Sequence, residues 1–413
     1  MTADPVETAA LDEPVAAADR VAPETPLVAR MRGFGSTIFA EMSELAARTG
    51  AINLGQGFPD TDGPELVRRA AVEAIEAGRN QYPPGAGVPE LRRAISDHQQ
   101  RRYGLTADPD TQVLVTAGAT EAIAASILAL CEAGDEVVAL EPFYDSYAAV
   151  AALAGARLVP WTLRAPDFRP DLDRLADLVG PRTRVLLLNS PHNPTATVLS
   201  RTELAAIAQL CVHHDLLAVT DEVYEHLVFD GEHVPLATLP GMGERTITIS
   251  SAGKTFSLTG WKIGWLSGPE PLVQAVRAVK QFLTYVNGAP FQPAVAVGLD
   301  HVDELVGPVR DALVAGRDLL CAGLADAGFA VHRPAATYFV TTDVTALGET
   351  DGMAFCRALP TRAGVVAIPC EVFYDDPARG AALVRFAFCK RDEVLREAVR
   401  RLATLTAGGI RET

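Results

Sequence analysis

From about residue 110 onward, short apolar runs rich in β-branched residues alternate with stretches of helical period. The runs at 112–115, 136–140, 156–159, 184–188, 216–220, 246–249 and 263–266 are each four or five residues long, the length of buried strands rather than helices. Between them, stretches such as 121–131 and 203–213 place apolar residues at helical spacing. That alternation predicts an α/β fold, with parallel strands joined by crossover helices. Beyond about residue 300 the pattern changes. A long helical stretch at 302–327 precedes strand-like runs at 336–340 and 383–388, which predicts a second, smaller α+β domain. No internal repeat is visible.

In open α/β sheets, ligands lie beyond the carboxyl ends of the strands. The residues that follow the predicted strands are therefore the ones to inspect. They read TAGAT (116–120), EPFY (141–144), NSPHNP (189–194), TDEVY (220–224) and SSAGK (250–254). One sheet edge would thus gather a glycine turn opening a helix, an aromatic ring, an asparagine, a carboxylate with a tyrosine, and serines with a lysine. Each is a weak signal alone; together they mark a site.

Composition narrows the class. At 413 residues the chain exceeds the ~250 to 300 residues at which single cores stop growing, so two domains are expected. Apolar residues make up 48%, yet no apolar run approaches the ~18 that a membrane helix needs, so the expectation is a soluble protein with no membrane partner. The opening MTADPVETAALDEP has neither the basic start nor the apolar stretch of a secretory signal, which predicts a cytoplasmic location. The net charge of −16 disfavours nucleic acid as a partner. Acidic residues outnumber basic ones six to one in the first 25 positions, and residues 1–28 are read as a disordered acidic tail. Six scattered cysteines form no CxxC pair, so neither a zinc ribbon nor a disulfide framework is expected. His213, His214 and His226 lack a recognised ligand spacing, and no metal is expected.

Lysine usage sharpens the chemistry. Of 36 basic residues only four are lysine, at 254, 262, 280 and 390. Arginine stays protonated, whereas a lysine amine in a low-dielectric or cationic site can lose its proton and attack a carbonyl. Lys254 lies in Gly253-Lys254-Thr255, the tail of a phosphate-binding loop, but that loop needs a glycine six residues before the lysine. Thr248 stands there. Pyridoxal phosphate, by contrast, needs a lysine for its aldehyde, amides and cations for its phosphate, and a carboxylate for its pyridine nitrogen. It also needs donors to its 3-oxygen and an aromatic partner for its ring. Every one of these is present at the inferred edge.

The segments NSPHNPT, TDEVYEHL, SSAGKTFSLTGWKIGW and LVRFAFCK resemble the signature blocks of class I aminotransferases of fold type I. INLGQGFPD, NQYPPGAGVPELR and VTAGATEAI narrow the resemblance to the branch that holds kynurenine, methionine and glutamine transaminases and actinobacterial N-succinyldiaminopimelate aminotransferases. It covers residues 30 to 405, in the family's order. The resemblance implies a three-layer α/β/α large domain with a mostly parallel sheet over 61–300. It also implies a small domain made of an N-terminal segment, 29–60, and a C-terminal part, 301–413.

The same resemblance implies pyridoxal 5′-phosphate as cofactor and assigns the residues. Lys254 would be the Schiff-base lysine and the proton carrier. Asp221 would pair with the pyridinium, Tyr224 and Asn193 would donate to the 3-oxygen, and Tyr144 would stack on the ring. Ala119 and Thr120 amides, Ser251 and Lys262 would hold the phosphate, Lys262 standing where arginine is frequent. Tyr82 would reach the phosphate of a neighbouring subunit, making a homodimer with shared active sites. Arg385 would clamp the substrate carboxylate, helped by the Gly57 amide, with Phe39 and Tyr285 near the side-chain pocket. Ala196 stands where the family's NPTG turn has glycine.

The expected reaction is transfer of an amino group from an L-amino acid to a 2-oxo acid by a ping-pong mechanism. A carbon–sulfur β-lyase acting on cysteine conjugates is the alternative with the same cofactor. An aminotransferase-like regulator would need a DNA-binding module, for which the short acidic leader is unsuited. Nucleotide hydrolysis is weakened by Thr248. The donor stays open, because Arg385 would read only the α-carboxylate that all candidates share.

Overall fold

The computed structural model describes residues 26–34 and 37–407. The expected acidic tail lies almost wholly outside the described residues. Among the described residues thirteen strands occur in chain order: β1 (Ile52–Asn53), β2 (Val113–Ala117), β3 (Glu136–Glu141), β4 (Arg157–Thr162), β5 (Thr183–Asn189), β6 (Leu217–Asp221), β7 (Thr246–Ser251), β8 (Ile263–Ser267), β9 (Ala330–His332), β10 (Phe339–Asp343), β11 (Val365–Val366), β12 (Ile368–Pro369) and β13 (Leu383–Ala387). All seven runs read as strands between 112 and 266 become strands of one sheet, in the order β2-β8-β7-β6-β5-β3-β4.

Successive residues of its central strands bury into different clusters. Val138, Leu140, Leu186 and Leu188 join one; Val137, Ala139, Val185 and Leu187 join another. The sheet is therefore covered on both faces, which is why its strands read as continuous apolar runs rather than alternating ones. Helix Arg201–His213 sends Leu204 and Ile207 into the first cluster. Helices Gly118–Leu130 and Glu270–Lys280 send Ile123, Ile127, Val273 and Val276 into the second. The result is three layers. Ser200 and Glu203 close a reciprocal capping box at the start of helix Arg201–His213, satisfying two amides that the helix itself leaves free.

The sequence reading misjudged the direction of β8. It runs antiparallel to both neighbours, β2 and β7, while β7, β6, β5, β3 and β4 are mutually parallel. The reason is chain length. Only eleven residues separate Ser251 from Ile263, and they carry a four-residue helix, Ala252–Thr255, and a tight turn, Thr259–Trp261, too little for a parallel crossover.

The remaining strands make two smaller sheets, β12-β13-β10-β9 and β1-β11. In the latter, Ile52 and Asn53 pair in parallel with Val365 and Val366, tying an N-terminal segment to the C-terminal part of the chain. The long helix expected at 302–327 is Val302–Asp326. The strand expected at 336–340 begins only at Phe339, because Thr337 takes the left-handed φ of 66°. No helix among the described residues is long and apolar enough to cross a membrane.

Candidate active site

The last residues of β2, β3, β5, β6 and β7 are Ala117, Glu141, Asn189, Asp221 and Ser251, and these strands share one direction. Their ends meet on one edge, where Asn189 and Asp221 are register partners and Asp221 faces Ile249 of β7. A cavity of about 440 Å³ opens there. Every residue that the resemblance assigns to the site lines it, except Tyr82 and Tyr285.

Lys254 sits in the short helix after β7, with its side chain half-buried. Burial, the largest influence, drives its amine down from 10.5 to about 8; Arg385 and Lys262 push the same way, and Cys389 and Asp221 push back. An amine in that range is a usable base and nucleophile near neutral pH. Its Nζ donates to Tyr338 Oη at 2.8 Å and lies 5.8 Å from the centre of the Tyr224 ring.

Asp221 is buried at the end of β6, and burial raises its carboxyl above the usual range. Tyr147 donates its hydroxyl to Asp221 Oδ2 at 2.6 Å, and the Val223 amide reaches Oδ1 at 3.4 Å. No cation is paired with it among the described residues. Asn193 is fixed through its backbone N–H, which donates to Asn189 Oδ1 at 2.8 Å. Its side-chain oxygen accepts from Arg385 Nη1 at 2.9 Å.

Arg385, from β13, is buried under three aromatic rings, with Phe339 4.0 Å, Phe373 5.1 Å and Phe39 5.5 Å from its guanidinium carbon. Nη2 donates to Gly55 O at 3.1 Å, and Nε has no partner. Gly57 must lack a side chain, since a Cβ would lie 2.5 Å from Phe339 Cζ.

The other end of the cavity suits an anion. Helix Gly118–Leu130 starts there with Gly118 at φ 75°, leaving the first amides of the helix facing outward. A Cβ on Gly264 of β8 would fall 2.4 Å from Gly118 C and 2.7 Å from Ala119 N, so glycine is what lets the strand press against this turn. Lys262 Nζ would lie 3.3 Å from a Cβ at Gly118, which puts its ammonium beside the helix start. Thr120 and Ser251 line the same end.

These residues fit pyridoxal phosphate. A dent with free amides and an ammonium suits the phosphate, a buried carboxylate without a cation suits a protonated pyridine nitrogen, and a depressed lysine amine suits the aldehyde. Tyr144 and Tyr224 line the space between.

Tyr82 stands apart, 81% exposed, with its ring packed edge-on against Tyr285 at 5.6 Å. Tyr285 also lies outside the cavity lining. Ala196 does take the left-handed conformation, φ 59°. Sequence reasoning missed Tyr147, Gly264 and Tyr338. It also missed the buried pairing of His98 Nε2 with His226 Nε2 at 2.9 Å, beside Glu225 and behind the lysine loop, where His226 Nδ1 meets Thr255 Oγ1 at 3.1 Å. His98 sits on helix Pro89–Tyr103, far from His226 in sequence, and nothing local announces the pairing.

Comparison with known proteins agrees with the geometry. The family described as aminotransferase class I and II matches residues 49–402. A probable N-succinyldiaminopimelate aminotransferase of Mycobacterium tuberculosis is 57% identical over 391 residues, 92% of this chain and 98% of that protein. The solved N-succinyldiaminopimelate aminotransferase of that species superposes with a TM-score of 0.90, covering 92% of this chain and 100% of that one. Escherichia coli methionine aminotransferase is 40% identical over 92% of this chain and 99% of its own length. Mouse kynurenine–oxoglutarate transaminase 3 is 37% identical over 89% of this chain and 87% of its own length.

Proposed function

Because the chain belongs to the class I and II aminotransferase family, we propose that the amino donor it takes is N-succinyldiaminopimelate. The chain is a pyridoxal-phosphate-dependent aminotransferase of fold type I that moves an amino group from an amino acid to a 2-oxo acid. The observation that carries the donor assignment is the 57% identity, over nearly the full length of both chains, to a relative named for that donor. The relatives named for methionine and kynurenine stand at 40% and 37%. The relatives are transaminases, so amino transfer rather than carbon–sulfur cleavage is the reaction assigned.

When bound, the cofactor supplies an electron sink beside the substrate Cα and carries the amino group between half-reactions. Lys254 Nζ takes the Cα proton and gives it back; its amine, held at about 8, is close enough to working pH to do both. Asp221, fixed by Tyr147, would pair with the pyridine nitrogen and keep it protonated. Tyr224 and Asn193 would donate to the 3-oxygen, and Tyr144 would cover the ring. The amides of Ala119 and Thr120, with Ser251 and Lys262, would hold the phosphate, where a point charge suffices. Arg385 holds the substrate carboxylate, and its unpaired Nε supports that reading, since a buried donor without a partner costs about 1 to 3 kcal/mol until one arrives. Phe39 and Gly57 close the substrate side.

A homodimer with shared sites belongs to the same proposal. Tyr82, Phe282 and Tyr285 are exposed aromatics, a patch of the kind that marks an interface. So does the division into a large unit, 61–300, and a small one, 29–60 with 301–413, supported by the pairing of β1 with β11. Free thiols at all six cysteines suit a reducing cytoplasm.

The test is a donor panel with 2-oxoglutarate as acceptor. N-Succinyldiaminopimelate should exceed methionine, glutamine and kynurenine in kcat/KM by roughly tenfold or more, the scale on which pocket contacts discriminate. A preference for any of the other three would overturn the donor assignment and leave the family intact.

A further inference from the structure

We propose that Tyr338 is the positioning residue for the Lys254 amine, holding it as a hydrogen-bond donor whenever it is free to accept a proton. Two observations carry this. Tyr338 Oη donates to Gly57 O at 2.6 Å, so its proton is committed to a backbone carbonyl. Lys254 Nζ lies 2.8 Å from the same oxygen, which leaves the hydroxyl only the acceptor role toward the amine. A neutral amine that spends one N–H on Tyr338 keeps its lone pair free, and after protonation the ammonium still has its partner. The tyrosine thus serves both protonation states.

The hydroxyl is also held in place. Tyr338 is 1% exposed, and its ring meets Tyr224 edge-on at 5.4 Å and Phe339 at 4.8 Å. Behind it, Thr337 takes its left-handed conformation with its N–H donating to Leu227 O at 2.8 Å. Leu227 follows closely on Asp221 and Tyr224, so the segment carrying the floor of the cavity also aims Tyr338. The ionisable groups that act on Lys254 are Asp221 from β6, Lys262 from the turn before β8, Arg385 from β13 and Cys389 just after it. All four act through charge, whereas Tyr338 acts through a hydrogen bond. Among the described residues, Tyr338 is the hydrogen-bond partner that directs the nitrogen.

The inference rests on Lys254 being the base, and the experiment separates the two. Tyr338→Phe keeps the ring and removes the acceptor. In the holoenzyme it should lower kcat roughly 10- to 100-fold, the range set by losing a hydrogen bond to a charged group, while KM moves by less than about threefold. The primary isotope effect with a Cα-deuterated donor should rise, because proton transfer becomes the slow step. In the cofactor-stripped chain, the pH profile of Lys254 labelling by an amine reagent should shift down by about one unit, since the ammonium loses its acceptor. Replacing Tyr338 by 4-aminophenylalanine, which returns a hydrogen-bonding group at the same reach, should recover part of the rate; this variant also serves if Tyr338→Phe does not fold. Unchanged kcat, isotope effect and labelling profile overturn the tyrosine assignment. Continued exchange of the Cα proton by Lys254→Ala overturns the lysine assignment instead.

Discussion

Replacing Gly264 by alanine should damage cofactor binding through the backbone alone. A Cβ at this position would lie 2.4 Å from Gly118 C, 2.7 Å from Gly118 Cα and 2.7 Å from Ala119 N. Comfortable contact needs about 3.5 Å, so the helix start and the strand must separate by about 1 Å. Neither side yields easily. Gly264 is register partner to Thr116 on one flank and Ser251 on the other, so β8 cannot withdraw without breaking two ladders. The turn at Gly118 must move, and Ala119 and Thr120 move with it. Lengthening an amide–anion bond by about 1 Å takes it beyond hydrogen-bonding range. Losing one such charge-assisted bond should weaken pyridoxal phosphate about 10- to 100-fold. Overpacking itself should lower stability by about 1 to 3 kcal/mol.

Gly268→Ala is the matched control. Its Cβ would meet Thr246 O at 2.6 Å, a comparable backbone clash just past the far end of β8. The assay is titration of the cofactor-stripped variants with pyridoxal phosphate, followed by absorbance, beside their thermal midpoints. Gly264→Ala should lose affinity and stability, and Gly268→Ala only stability. Wild-type affinity in Gly264→Ala, or equal affinity losses in both, would refute the cradle.

Arg385→Lys should raise KM for the amino donor by roughly 100-fold, because one ammonium cannot keep Asn193 Oδ1 and Gly55 O and grip a carboxylate as well; steady-state kinetics decide. Lys254 should make the cofactor-stripped chain more stable as pH rises from about 8 toward 10.5. In that window the folded amine has released its proton while the unfolded one keeps it, so unfolding takes up a proton. Subtracting the urea midpoints of Lys254→Met from wild type across pH should show this slope, and a flat difference would contradict the depressed amine. Ala196→Gly should stabilise the fold by about 1 kcal/mol by relieving a left-handed alanine, given φ 59°; an unchanged or lower urea midpoint would count against that strain.

What was legible in the sequence was whatever depended on local pattern. Seven buried strands announced themselves because both faces are covered, and the residues just past their ends lined the cavity because parallel strands end on one side. Lys254 stood out because the chain uses so few lysines. What the pattern missed depended on distant contacts. Tyr338 read as one more strand aromatic, and its bond to Lys254 spans 84 residues. Gly264 gains its importance only where β8 crosses the start of helix Gly118–Leu130. That helix begins at Gly118 rather than at 121 because the Glu121 carboxylate reaches back to the Ala117 amide at 2.5 Å. The reversed direction of β8 followed from a short connection rather than from its composition, which matches its neighbours. His98 and His226 meet through packing of helix Pro89–Tyr103, which no motif records.

The central claim is that pyridoxal phosphate is bonded to the amine of Lys254. Borohydride reduction of the purified holoenzyme, followed by peptide mass mapping, tests it directly. The account predicts a single modified peptide containing Lys254. Cofactor mass on the peptides of Lys262, Lys280 or Lys390, or on none, would contradict it.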